Sequence, residues 1–167
     1  MGAIFDQTPI SYDRTEIHAP VAGIAKQAAD QTIATTTLTN STDLKFDVRA
    51  NTDYLFEFFL IHQSAASTTG LKVAVTVPAS PTYVAYRTEI SVTDSANGTD
   101  NVESQTFTAS AGTHTAANQI GAAANSLAIV KGVLSNGTTA GKLQLQFAGD
   151  AAANITLKKG SYGRLWT

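Results

Sequence analysis

From about position 30 onward, apolar and polar residues alternate with a period of two along most of the chain. Leu71, Val73, Val75 and Val77 alternate with Lys72, Ala74 and Thr76 until Pro78 ends the run. Val84, Tyr86, Thr88, Ile90 and Val92 share one parity, and Arg87 and Glu89 share the other. Successive strand side chains point to opposite faces, so this rhythm predicts half-buried β-strands. Leu143, Leu145 and Phe147 repeat it against Lys142, Gln144 and Gln146. The dipeptide Asn136-Gly137 predicts a tight turn that joins this strand to the apolar run 127–134 as a hairpin.

One segment breaks the alternation. Residues 53–62 open on Asp53 and are then apolar on both parities except at Glu57 and His62. Such a strand is expected to lie centrally, covered by a facing sheet on one side and by something else, such as a neighbouring subunit, on the other. Around it the pattern predicts a Thr-rich opening strand at 31–38, a turn at Asn40-Ser41-Thr42-Asp43 and a strand at 44–48. A weaker edge strand follows at 102–108, then a small-residue loop at 109–125, and short closing strands through Ile155, Leu157 and 161–166. Eight to ten strands without a helix predict an all-β fold, an antiparallel two-sheet jelly-roll sandwich. An immunoglobulin-like sandwich is the second choice, although its Cys and core Trp markers are missing.

Residues 1–28 lack this rhythm. Their hydrophobes are irregularly spaced among two prolines, which predicts an extended N-terminal arm whose side chains need pockets on a partner. Ile4, Phe5, Tyr12 and Ile17 are the candidate anchors. The chain of 167 residues therefore divides into a docking arm, 1–28, and one β-sandwich domain, 29–167.

Composition changes the picture in one respect. Charged residues make up only 14% of the chain, against about 25% in ordinary soluble domains. Thr, Ser, Asn and Gln take their place, giving neutral polar surface that a neighbour can cover without desolvating ions. A net charge of −2 offers no basic footprint, so nucleic acid is not expected as a partner. No run approaches the eighteen or so apolar residues of a membrane span, and no membrane contact is expected.

Candidate chemistry is sparse. With no cysteine, disulfides, thiolate metal sites and cysteine nucleophiles are excluded. His18, His62 and His114 have no metal-pair spacing and no nucleophile elbow beside them, and read as ordinary surface or lining residues. Asp94, Asn97, Asp100 and Glu103 fail the spacing of a calcium loop. Glu57, Glu89 and Glu103 lie on separate strands with nothing to fix a carboxylate pair. The chain reads as a non-enzyme without catalytic residues, metal or cofactor.

Several phrases carry a resemblance. These are Ala50-Asn51-Thr52-Asp53-Tyr54-Leu55-Phe56-Glu57-Phe58-Phe59-Leu60, Pro78-Ala79-Ser80-Pro81 with Tyr86-Arg87-Thr88, Gly132-Val133-Leu134-Ser135-Asn136-Gly137 with Gly141-Lys142-Leu143-Gln144-Leu145-Gln146-Phe147-Ala148, and Gly160-Ser161-Tyr162-Gly163-Arg164-Leu165. Together they resemble a β domain of tailed-bacteriophage virion proteins, with trimeric jelly-roll heads similar to those of complement and tumour necrosis factor. The resemblance spans 29–167. It implies a homotrimer in the virion, made in the host cytoplasm and attached to the major capsid protein as a decoration or cement protein. Under it, Tyr54, Phe56, Phe58 and Leu60 become the expected trimer interface. The alternative it allows is a tail-fibre or baseplate adhesin head whose loops, 109–125 among them, touch a host glycan.

Overall fold

In the computed structural model, which describes residues 21–93, 100–116, 118 and 121–167, every regular element is a strand. The strands are β1 (Val21–Lys26), β2 (Gln31–Ile33), β3 (Thr39–Val48), β4 (Asp53–Ser64), β5 (Leu71–Thr76), β6 (Tyr83–Thr93), β7 (Asp100–Phe107), β8 (His114–Thr115), β9 (Ser126–Ser135), β10 (Gly141–Gly149), β11 (Ile155–Leu157) and β12 (Tyr162–Trp166). They form two antiparallel sheets. Sheet A runs β1-β12-β4-β9-β6-β7, with the short β11 and β2 adding beside β4. Sheet B runs β3-β10-β5-β8.

This order is the jelly roll that the alternation predicts. Leaving out β2 and β11, β1-β12-β4-β9 faces β3-β10-β5-β8, the strand order of a doubled Greek key. The hairpin β6–β7 is added beside β9, widening sheet A on that side.

The core lies between the sheets and takes one parity from each strand. Val84, Tyr86, Thr88, Ile90 and Val92 of β6 are all buried, as are Leu143, Leu145 and Phe147 of β10. From β4 the core takes Tyr54, Phe56, Phe58 and Leu60. Two of these aromatics sit opposite glycine. Phe56 pairs with Gly132 and Phe58 with Gly163. A Cβ on Gly132 would meet the Phe56 ring at 2.8 Å and the Tyr86 Cβ at 2.5 Å, and one on Gly163 would meet the Phe58 ring at 2.7 Å. The missing side chains make the room in which Phe46, Phe56, Phe58 and Tyr86 pack ring to ring, with centroids 5.7 to 6.5 Å apart.

Four expectations change. First, β9 and β10 do not form a hairpin. Both sides of β9 are taken by β4 and β6, so 136–140 crosses to the other sheet. The Asn136 side chain bridges that crossing by donating to the carbonyls of Arg49 (2.7 Å) and Thr139 (3.0 Å). Second, the turn expected at Asn40-Ser41-Thr42-Asp43 is an irregularity inside β3. The register jumps from Lys45 opposite Gln144 to Asn40 opposite Gln146, and Ser41 Oγ accepts the Leu44 N–H at 3.1 Å. Third, the loop 109–125 contributes His114–Thr115 to the edge of sheet B. Fourth, the sheet begins at Val21, inside the expected arm. Here β1 is held mainly by its backbone ladder to β12, with Val21, Ile24 and Lys26 exposed, so it shows no buried parity for the sequence to reveal. The anchors Ile4, Phe5, Tyr12 and Ile17 lie outside the described residues.

Candidate interaction face

Burial decides which side of β4 can meet a partner. Tyr54, Phe56, Phe58 and Leu60, the expected trimer interface, are 6% exposed or less and face the chain's own core. The parity of β4 that reaches the surface is the other one, Asp53, Leu55, Glu57, Phe59, Ile61 and Gln63. The second apolar side of this strand exists, but it is built from these side chains.

Registers extend it into a surface. Leu55 stands beside Trp166 of β12 and Val133 of β9, and Phe59 beside Tyr162 and Ile129. Ile61 stands beside Leu127, and Val102 of β7 lies opposite Ser91 of β6 on the same side. The Phe59 and Tyr162 rings stack with centroids 5.5 Å apart and planes 6° from parallel, and the Arg164 guanidinium lies 5.2 Å from the Tyr162 ring centre. Among the described residues the large hydrophobics with the most open surface are Val21, Ile24, Leu55, Tyr83, Val102 and Leu127, between 51% and 72% exposed, and all six belong to sheet A.

A charged row crosses this face and is largely neutralised within it. Arg164 pairs with Glu57 at 3.4 Å, while Lys131 and Arg87 approach Glu89 at 3.3 and 3.2 Å. The row divides the apolar surface into two fields. One holds Phe59, Tyr162, Ile129, Ile61 and Leu127. In the other, Leu55, Val133 and Trp166 line a trough of about 170 Å³ with Asp53, Tyr54, Tyr83, Leu134 and Thr167.

The outer side of sheet B is different. It shows Asn40, Thr42, Lys45, Asp47, Lys72, Lys142, Gln144 and Gln146. These are residues that favour water, and Lys142 with Asp47 forms an ion pair there. The molecule therefore has one polar broad face and one apolar one.

His62 and His114, read from the sequence as surface or lining residues, are both buried. His62 is buried at the end of the core opposite Ser126, with neither ring nitrogen hydrogen-bonded. Burial pulls its pKa down to about 4, and the nearby Leu127 backbone only partly offsets this. His114, also buried, places Nδ1 2.7 Å from Thr88 Oγ1 and Nε2 3.6 Å from Glu103. Burial lowers its pKa as well, against the opposing pull of Glu103. The hydroxyl–imidazole–carboxylate order looks like a relay, but Thr88 and His114 have no open surface for a substrate. Its structural effect is to tie β8 of one sheet to β6 and β7 of the other. Among the described residues no group of three or more His, Asp or Glu is placed to hold a metal ion. His18 and residues 94–99 lie outside the described residues.

No family model and no curated protein sequence matches the chain. Among solved structures it is similar to the Clostridium thermocellum xylanase 10B CBM22-1–GH10 modules complexed with xylohexaose, with 11% identity and a TM-score of 0.30 over 85% of this chain and 26% of that one. It is also similar to a chain of infectious bursal disease virus strain Gx, with 10% identity and a TM-score of 0.24 over 87% of this chain and 39% of that one. The chain thus spans well under half the length of either protein.

Proposed function

We propose that this chain is a structural protein of a bacteriophage virion, a homotrimeric decoration or cement protein on the capsid surface, joined to the major capsid protein by its first residues. The observation that carries the self-association is the outer side of sheet A. Six strands at about 4.8 Å spacing, with about nine residues each at about 3.3 Å, make a face on the order of 800–900 Å². Each partner in a standard specific interface contributes about 800 Å². The two apolar fields on that face are the kind of exposed surface that marks association. The count of three and the capsid as scaffold rest on the resemblance of the sequence phrases to phage virion heads.

Sedimentation velocity on the full chain and on Leu127→Lys/Ile129→Lys tests the reading. Both substitutions lie on the outer face, so circular dichroism is expected to stay the same while the trimer dissociates. Binding of the wild type to undecorated phage capsids is expected as well. A wild type that is monomeric at high concentration would overturn the association. Binding to host cells but not to capsids would favour the adhesin reading.

A further inference from the structure

Five strands lie at sheet edges: β1, β2 and β7 in sheet A, β3 and β8 in sheet B. Unpaired backbone at an edge invites another strand, and bulges, lysines, prolines or very short length normally block it. Four of the five edges are blocked. The register shifts in β1 between Val21 and Gly23 and in β3 between Asn40 and Lys45, Lys26 and Lys45 lie on those strands, and β2 and β8 are only three and two residues long. Strand β7 has none of these devices: it runs from Asp100 to Phe107 in unbroken register with β6, without lysine, arginine or proline. We propose that β7 pairs antiparallel with β7 of a second copy about a twofold axis at Ser104, joining the two A sheets edge to edge. This contact is separate from the outer face of sheet A and stands whether or not the protein belongs to a capsid.

Hydrogen bonds along β7 show which of its backbone groups are free. The Gln105 carbonyl is turned to β6, where it accepts Thr88 Oγ1 at 3.4 Å, whereas the Val102 N–H donates to the neighbouring Asn101 Oδ1 at 2.7 Å. Residues of an antiparallel strand alternate between its two sides. Asn101, Glu103, Gln105 and Phe107 are therefore spent on β6, and Val102, Ser104 and Thr106 turn N–H and C=O away from the molecule. Among the described residues no strand pairs with that side. Asn101, Val102, Ser104, Gln105 and Thr106 are exposed, so both faces of the edge are open to an incoming strand.

Charge and register select a second copy as the occupant. With Ser104 opposite Ser104 of the second copy, Val102 meets Thr106, and the free groups of both strands face one another as hydrogen-bonded pairs. Between them Glu103 meets Gln105 and Asn101 meets Phe107, so no like charges are opposed. An axis at Glu103 would set two carboxylates directly opposite, which is destabilising. One at Gln105 gives up the pairs made by Asn101 and Val102, and one between residues sets free groups against spent ones. The strand is complementary to itself in a single register. A two-stranded contact alone is marginal in water, so the pairing is expected in concentrated protein or where a scaffold holds copies side by side.

Because the chain has no cysteine, single thiols can report the register. Glu103 and Gln105 of the second copy form a non-hydrogen-bonded pair with Cα atoms about 4.5 Å apart, within disulfide reach. Mixing Glu103→Cys chains with Gln105→Cys chains in concentrated solution is expected to crosslink one to the other about tenfold faster than either variant crosslinks to itself. Ser104→Pro in both chains removes an N–H that β6 does not use, so circular dichroism is expected to stay the same while crosslinking stops. Ser104→Lys, which opposes two ammonium groups, is expected to do the same and decides the matter if the proline variant does not fold. Equal rates in all three samples, or crosslinking that persists in folded Ser104→Pro or Ser104→Lys chains, would overturn the proposal. No crosslink at all would also overturn it, leaving the edge to a strand of a different protein. Adding Leu127→Lys/Ile129→Lys separates this contact from the proposed trimer: the crosslink is expected to survive there, and its loss would mean that the thiols had met through the outer face of sheet A.

Discussion

A buried imidazole without a hydrogen-bond partner is stable only when neutral, and His62 is in that position. With a folded pKa of about 4 against an ordinary value of 6.5, the native chain binds fewer protons than the unfolded one between those values. Stability is therefore full above about pH 6.5 and declines as pH falls toward 4. About two and a half pKa units correspond to a loss on the order of 3 kcal/mol. His114, shifted the same way by burial, adds to the decline. Urea midpoints measured from pH 7.5 to 4 are expected to fall in that window, and His62→Leu is expected to flatten the slope. A midpoint constant down to pH 4.5 would mean that His62 is solvated. The burial of His62 is legible only in its parity, which it shares with Tyr54, Phe56, Phe58 and Leu60. The same parity held the clue to the interaction face. Asp53, Glu57 and Gln63 all fall on the other one, which a core cannot accept, so Leu55, Phe59 and Ile61 had to point outward with them.

At the scale of the element, the period-2 runs were legible because the buried parity records only whether a face is covered. Partners were harder to read. The run 127–134 and the strand through Leu143 look like two arms of a hairpin, but β4 and β6 occupy both sides of β9, and those pairings come from residues some 40 to 80 positions away. Local turn chemistry at Asn136-Gly137 has no information about that competition. β1 was missed for the opposite reason: a strand held chiefly by its ladder leaves little side-chain pattern to find. The strand centres, in contrast, encode their neighbours through glycine. Gly132 lies under Phe56 and Tyr86, with the Ala85 carbonyl 2.4 Å from where a Cβ would stand. Because that obstacle is backbone, Gly132→Val cannot be relieved by a rotamer change. Overfilling a packed core costs about 1–3 kcal/mol, and the loss here is expected at the upper end, read as a lower denaturation midpoint. Tyr83→Val, an exposed β-branched replacement on a neighbouring strand, is expected to leave the midpoint nearly unchanged.

For the whole molecule, the contrast between the two broad faces sets how copies would meet in the proposed assembly. Sheet B presents charges and amides that gain nothing from losing water. Sheet A presents two apolar fields with a charged row between them, and that row pairs internally through Arg164–Glu57 and Lys131–Glu89–Arg87. An interface built on such a face needs no ion pair between copies, and its drive is removal of apolar surface from water. Salt then separates two kinds of assembly. Raising ionic strength from 0.1 to 1 M shortens the screening length from about 10 Å to about 3 Å, which weakens contacts held by charge across a seam. It leaves contacts held by burial intact, and sulfate strengthens them by exclusion from protein surface, while cooling weakens them. Sedimentation velocity is therefore expected to find the oligomer unchanged in 1 M sodium chloride, tighter in sulfate and looser near 4 °C. Dissociation by sodium chloride alone would move the seam away from the outer face of sheet A, to the edges of the sheets or to the charged face of sheet B.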